Sequence, residues 1–158
     1  MAQFGATIEW IGEDIVFTDN KYSRAHEWRF DGGLRVPASS SPLSVRVPFS
    51  DPTAIDPEEA LVASLASCHM LWFLSLAAKA GFKVLRYVDA PVGSSGNDPG
   101  GKEWLERVEL RPKVEFRGGL EPKDGDVAAL HAKAHEECFI ASSIRAEVLV
   151  NGSWTYGV

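Results

Sequence analysis

Cysteine is scarce in this chain: Cys68 and Cys138 are the only two among 158 residues. Two thiols cannot staple a small secreted scaffold, and a domain of this length builds a core without disulfides. Basic clusters are missing as well. The 16 Lys and Arg lie scattered among 22 Asp and Glu, and a net charge of −6 leaves no footprint for nucleic acid or an anionic membrane surface. The opening MAQFGATIEWIG has neither a basic n-region nor a long apolar h-region, so no signal peptide is expected and the expected compartment is the cytoplasm. A G-x-S-x-G elbow, a strand–GxGxxG–helix or GK[ST] phosphate loop and a C-x-x-C pair are all absent. Serine-hydrolase and phosphate-cradle readings therefore have no support, and neither does a thioredoxin-like one.

What is there, 45% hydrophobic and 24% charged, describes one globular domain over residues 1–158 rather than a disordered chain. Residues 6–11 and 26–30 alternate and are rich in β-branched and aromatic side chains, the second run ending in the turn Asp31-Gly32-Gly33. Residues 44–49 read as a third strand after a Pro/Ser loop at 37–42, and the polar stretch 19–24 as a loop.

The clearest element follows. Asp56 is a helix N-cap, Pro57 suits the first helical position and Glu59 stands at N3 of a capping box. From Leu61 to Ala78 there is no charge, and Gly81 supplies the stop. The run is long enough to span a bilayer. Ser64, Ser67, His69 and Ser75 dilute it, however, and no basic flank or aromatic belt accompanies it. The expectation is a helix buried all round, which one small domain cannot cover and a partner subunit can.

Further on, residues 84–92 read as a strand and the glycine-rich 93–101 as a flexible hairpin loop. Residues 108–116 alternate as one half-buried strand, with Pro112 at an edge or bulge. After a turn at 121–125, a second helix from near Asp126 puts Val127, Leu130, Ala134 and Cys138 on one stripe. Residues 144–150 read as a helical remnant leading into a last strand. The order βββ–α–ββ–α–β, helices apart from antiparallel pairs, is an α+β pattern.

Cys68 lies mid-helix, beyond reach of the N-terminal dipole, and left alone would be an inert buried thiol. As a nucleophile it needs a cation from elsewhere, best an Arg, and that Arg needs a carboxylate. Cys138, on the buried side of its own helix, could meet Cys68 in a reversible disulfide, but spacing alone does not bring them together. A rival set is His131, His135 and Cys138, which fall within a sector of roughly 60°. With Cys68 or His69 they would make a zinc site, at a spacing that fits no zinc motif. Met70, Trp72, Phe73 and Phe139, beside the cysteines in sequence, could line an apolar pocket.

The segment DPEEALVASLASCH, Asp56 to His69, resembles the NPEEL…AAC helix of the OsmC/Ohr family, the osmotically inducible and organic hydroperoxide resistance proteins. AHEEC at 134–138, followed by Ser143-Ile144-Arg145, resembles that family's second-cysteine segment. The resemblance implies antiparallel sheets wrapped around long central helices in an intertwined homodimer, with active sites at the subunit interface. It implies thiol-dependent reduction of organic hydroperoxides by a peroxidatic Cys68 and a resolving Cys138, without a cofactor or metal. It casts Glu58 as the acid that holds the active-site arginine, and Arg24, or the nearby Arg29, as that arginine. A dithiol, lipoyl-type or thioredoxin-like, would be the reductant. Two departures stand beside the sulfurs: Phe139 where the family usually has Pro, and His69 where it is usually apolar. A zinc- or small-molecule-binding member of the fold without peroxidase activity is the alternative. Helical rise adds a constraint, because ten residues at about 1.5 Å each separate Glu58 from Cys68 by roughly 15 Å. Either Glu58 serves its site from the partner subunit, or the helix starts later than the capping pattern says.

Overall fold

A computed structural model describes residues 1–12 and 16–157. The chain falls into two compact units, Met1–Ala60 and Leu61–Val158.

In the first unit β1 (Ala6–Glu9), β2 (His26–Phe30) and β3 (Arg35–Ala38) form an antiparallel meander. Ile8 faces Trp28, which in turn faces Val36, giving the aromatic and β-branched cross-strand pairs that stabilise such ribbons. The β2–β3 turn needs Gly33, whose φ of +87° lies in the left-handed region. The strand expected at 44–49 does not form, and β3 takes its place. Ser41 explains why: its carbonyl accepts the N–H groups of Ser44 and Val45, and Pro48 has no N–H to offer a ladder. Within the expected loop at 19–24, the chain enters through a 3-10 turn at Phe17–Asp19.

Helix α1 (Pro57–Lys79) starts in the first unit and continues through the second. Its cap is reciprocal: Glu59 N–H donates to Asp56 Oδ1 at 2.7 Å, and Asp56 N–H to Glu59 Oε2 at 3.4 Å. The helix therefore begins where the capping pattern places it. Gly81, at φ +83°, ends it.

The second unit adds β4 (Phe82–Val88), β5 (Val92–Asn97), β6 (Glu103–Leu110), β7 (Lys113–Gly119), α2 (Asp124–Glu137), β8 (Glu147–Val150) and β9 (Ser153–Gly157). The strands form two sheets, β4-β7-β9 and β5-β6-β8. The glycine-rich stretch is thus largely a strand, and only the turn after Asn97 is loop, held by Asp98 Oδ1 accepting from Gly100 and Lys102 N–H. The alternating run 108–116 is two strands rather than one. Pro112 lacks the N–H that would continue the ladder, so β6 ends in one sheet and β7 opens the other. Gly152 marks the matching break between β8 and β9, which pair parallel to β6 and β7. The sheets are therefore mixed, and the α+β class stands with four strands between the helices. Helix α2 begins two residues earlier than expected, because Asp126 Oδ2 accepts the Lys123 N–H. Cys138 is its C-cap residue rather than its last turn, and residues 144–150 hold strand β8 after a 3-10 turn at Ala141–Ser143.

Two apolar clusters fill this unit. Phe73, Phe82, Val114, Phe116 and Leu130 anchor one; Leu65, Val108, Leu110 and Cys138 anchor the other; Trp72 packs against both. Leu65, His69, Phe73 and Ala77, spaced four apart, are the buried stripe of α1, with Ala66 beside it. On the other side Ser64, Ser67, Leu71, Ser75 and Ala78 are exposed. By length and composition alone α1 is apolar enough to cross a membrane. Its buried stripe instead belongs to the two clusters. Within one chain the helix is buried on one stripe, and its uncharged opposite face is open.

Candidate active site

Cys68 and Cys138 are both free thiols, the first half-buried and the second without exposed surface. Cys68 packs against the cluster that contains Cys138, and its thiol is close enough to raise the Cys138 thiol. Mid-helix position and C-cap position thus bring together residues 70 apart in sequence. Burial pushes the Cys138 thiol up to about 11; the Ala141 N–H, donating to Sγ at 3.4 Å, works against that rise and the Cys68 thiol adds to it. Cys138 therefore stays protonated at neutral pH. A half-accessible thiol backed by a buried thiol can open to an oxidant and then close a disulfide inward.

Beside them lies a feature that the sequence reading arranged differently. His69 Nε2 and His131 Nδ1 are hydrogen-bonded at 3.0 Å, with rings 5.3 Å apart and nearly parallel. Burial pushes both imidazoles down to about 4, and His131 and His135 add to the shift of His69. At neutral pH the pair is uncharged. His69 Nδ1 and His131 Nε2, the two outer nitrogens, are buried and find no hydrogen-bond partner among the described residues. The signal for this pair was present in the sequence: His69 falls on the Leu65–Phe73–Ala77 stripe, and His131 sits between Leu130 and Ala134. Among the described residues no group of three or more His, Cys, Asp or Glu is arranged to hold a metal ion, which removes support from the zinc alternative built on His131, His135 and Cys138.

In the first unit, a concavity of about 360 Å³ is lined by Arg24, Glu58, Trp10, Tyr22, His26 and the serines at 39–41, among others. Arg24 is held by its own loop. Its Nη1 donates to the carbonyls of Asn20 (3.1 Å) and Tyr22, its Nη2 donates to Asn20 Oδ1 (2.7 Å), and the guanidinium lies 3.9 Å over the Tyr22 ring. The following residues pin that loop further. Trp28 Nε1–H donates to His26 Nε2, so His26 Nδ1 carries the proton and donates to the Arg24 carbonyl at 2.7 Å. Glu58, in the first turn of α1, shares the concavity with Arg24, yet among the described residues the two form no ion pair. Arg29 is engaged elsewhere, at 3.1 Å from Glu9 and 3.8 Å from Glu27 on the β1–β2 surface. Of the two candidate arginines, only Arg24 lines the concavity.

The residues expected to form an apolar pocket separate. Phe73 is fully buried core, its ring 4.4 Å from that of His131 at a tilt of 31°, and Trp72 packs against both clusters. Met70 is half-buried on α1 and Phe139 is exposed. Within this chain Phe73 packs the core, because the buried stripe turns it inward.

Residues 50–152 match the family of OsmC-like proteins. An OsmC-like protein of unknown function from Vibrio cholerae is 47% identical, superposes with a TM-score of 0.94, and is matched over 97% of this chain and 100% of its own. An organic hydroperoxide resistance protein from Elizabethkingia anophelis shares the fold at 17% identity and a TM-score of 0.70, over 99% of this chain and 98% of its own. A further solved structure, a putative organic hydroperoxide resistance protein from Vibrio cholerae with captopril bound in one of its active sites, has a TM-score of 0.64 at 17% identity, over 98% and 92%. No curated protein matches the chain. With a family match across most of its length and both cysteine-bearing elements present, this chain belongs to the OsmC-like family.

Proposed function

We propose that the protein is a cysteine-based peroxidase that reduces organic hydroperoxides, acting as a homodimer in the cytoplasm. The observation that carries this reading is the approach of a half-accessible Cys68 to a buried, protonated Cys138. In the first step the Cys68 thiolate attacks the terminal peroxide oxygen. The O–O bond breaks, the departing alkoxide takes a proton and leaves as the alcohol, and Cys68 is left as a sulfenic acid. In the second, Cys138 sulfur displaces hydroxide from the sulfenic sulfur, giving a Cys68–Cys138 disulfide and water. A dithiol reductant, lipoyl-type or thioredoxin-like, reopens it through a mixed disulfide.

Arg24 supplies the cation this chemistry requires, since a guanidinium stays charged when desolvated and can bond both peroxide oxygens. Glu58 orients it. The helix starts at Pro57, so the roughly 15 Å of rise between Glu58 and Cys68 remains, and a single arginine hardly spans it. The Arg24–Glu58 concavity of one subunit therefore serves the Cys68 of the other. The open face of α1 supports such pairing, because it carries no charge and presents the exposed Leu71 among small residues that let another helix approach. The hydroperoxide-resistance names of the solved relatives point to the same substrate class.

Free thiols counted before and after one equivalent of cumene hydroperoxide test the reading. It expects two thiols lost per chain in the wild type and none in Cys68→Ser. Retention of both thiols in the wild type, or equal loss in Cys68→Ser, overturns it.

A further inference from the structure

We propose that the buried His69–His131 hydrogen bond is a brace between α1 and α2 that holds Cys138 in position to close on Cys68, making both histidines positioning residues for the disulfide step. The proposal rests on the two-cysteine reading above.

Four observations carry it. First, among the described residues the His69–His131 contact is the only hydrogen bond that joins α1 to α2. Second, each histidine is tied in sequence to one of the sulfurs. His69 directly follows Cys68 on α1, and His131 lies two turns before the Cys138 cap on α2. Sliding or rotating α2 against α1 displaces the Cys138 sulfur relative to Cys68, and a directional polar contact adds to the register that the shared apolar cluster of Phe73 and Leu130 provides. The 3.0 Å bond between the rings is that contact. Third, the pair is buried with both outer nitrogens unpartnered, an arrangement that costs stability. Two apolar side chains would pack there without that cost, so the stability of the core does not explain the pair. Fourth, His131 is crowded on two further sides: the Phe73 ring lies 4.4 Å away at a tilt of 31°, and a methyl at Gly152 would come within 3.0 Å of Nε2 and 3.1 Å of Pro112 Cγ.

Protonation releases it. The groups that bear on the pair are His135, one turn along α2, and Asp124 at the start of α2 in the same concavity. Phe73 from α1, Pro112 after β6 and Gly152 after β8 bring no charge. Two imidazolium ions at this distance repel, with no buried carboxylate bonded to either.

Exchange with a glutathione redox buffer tests this without any peroxide. In that exchange the protein dithiol and oxidised glutathione give the Cys68–Cys138 disulfide and two reduced glutathiones, so the equilibrium reads how well the sulfurs are aligned. At pH 7, His131→Leu, which keeps the packing and loses the bond, is expected to lower the effective concentration of the two thiols about tenfold. His131→Gln, which can still bond His69, is expected to recover most of it. Native circular dichroism with an unchanged equilibrium in His131→Leu overturns the proposal. Should His131→Leu fail to fold, the wild type at pH 7 and pH 4, with its circular dichroism native at both, decides. At pH 4 each imidazole is half protonated and the neutral pair is reduced to about a quarter, so a fall of at least about threefold supports the brace, and no fall overturns it. Because peroxide plays no part, failure here leaves the peroxidase reading standing, and failure of that reading leaves this test valid.

Discussion

Arg24 and Glu58 line one concavity, yet among the described residues no ion pair or hydrogen bond joins them: the guanidinium bonds to Asn20 and Tyr22 instead. A preorganised cation beside an unengaged acid is a half-site, waiting for the charge that will join them. If that half-site belongs to the partner's Cys68, subunits with different lesions complement each other. Chains carrying Glu58→Gln and chains carrying Cys68→Ser are each expected to be inactive as homodimers. After denaturation and joint refolding at equal amounts, the mixture is expected to recover about a quarter of wild-type turnover, since half the dimers hold one intact site. No recovery in a mixture shown to contain heterodimers would place Glu58 and Cys68 of the same chain in one site.

Replacing Arg24 probes the same half-site from the cation side. Arg24→Met is expected to lower kcat/KM for cumene hydroperoxide by about a hundredfold or more, the scale of losing a preorganised charged donor. The guanidinium's bonds are local and partly exposed, so stability is expected to change by less than about 1 kcal/mol. Near wild-type turnover in Arg24→Met would transfer the role to another cation.

Cys138 and Cys68 should differ in alkylation. With its thiol pushed up to about 11 and no exposed surface, Cys138 is expected to resist iodoacetamide at pH 8 while Cys68 reacts. Peptide mapping reads the difference directly. Equal labelling of both in the folded protein would remove the buried resolving thiol from the scheme.

The histidine pair predicts an acid limb in stability. Both imidazoles are held near 4 in the folded protein against 6.5 unperturbed, so the unfolded chain binds more protons throughout that interval. Stability is therefore full above about pH 6.5 and falls progressively toward pH 4. Urea midpoints measured from pH 7.5 to 4.5 check this. His69→Phe is expected to flatten the limb, whereas an unchanged slope would mean that other groups carry it.

Phe73 offers a contrast in kind. Fully buried and in contact with His131, Phe116 and Tyr87, it is expected to cost about 3–5 kcal/mol on truncation to Ala. The ratio of activities on bulky and small hydroperoxides is expected to stay constant in whatever folded fraction remains. A changed ratio would restore it to the substrate pocket.

Local chemistry was legible from the sequence. The Asp56–Glu59 box fixed the start of α1 and Gly81 its end. Tertiary choices were not. Pro112 and Gly152 split two strands between two sheets, which a single alternating run does not reveal. The 44–49 segment has strand composition, yet Ser41 captures its N–H groups. The face of α1 opposite its buried stripe is uncharged, and composition does not show which side one chain covers and which it leaves open. At the site, both cysteines and Arg24 followed from motif and need, whereas His69 and His131 looked like zinc ligands because imidazoles at helical spacing carry no label for what they face. Only packing α1 against α2 turned them into partners.

The central claim is that Cys68 is oxidised and Cys138 captures it. Intact mass after a single turnover with one equivalent of cumene hydroperoxide, quenched by acid, tests it most directly. The account predicts a loss of about 2 Da in the wild type, a gain of about 16 Da in Cys138→Ser, and no change in Cys68→Ser. A wild-type mass that does not move, or a 16 Da gain that persists in Cys68→Ser, would contradict it.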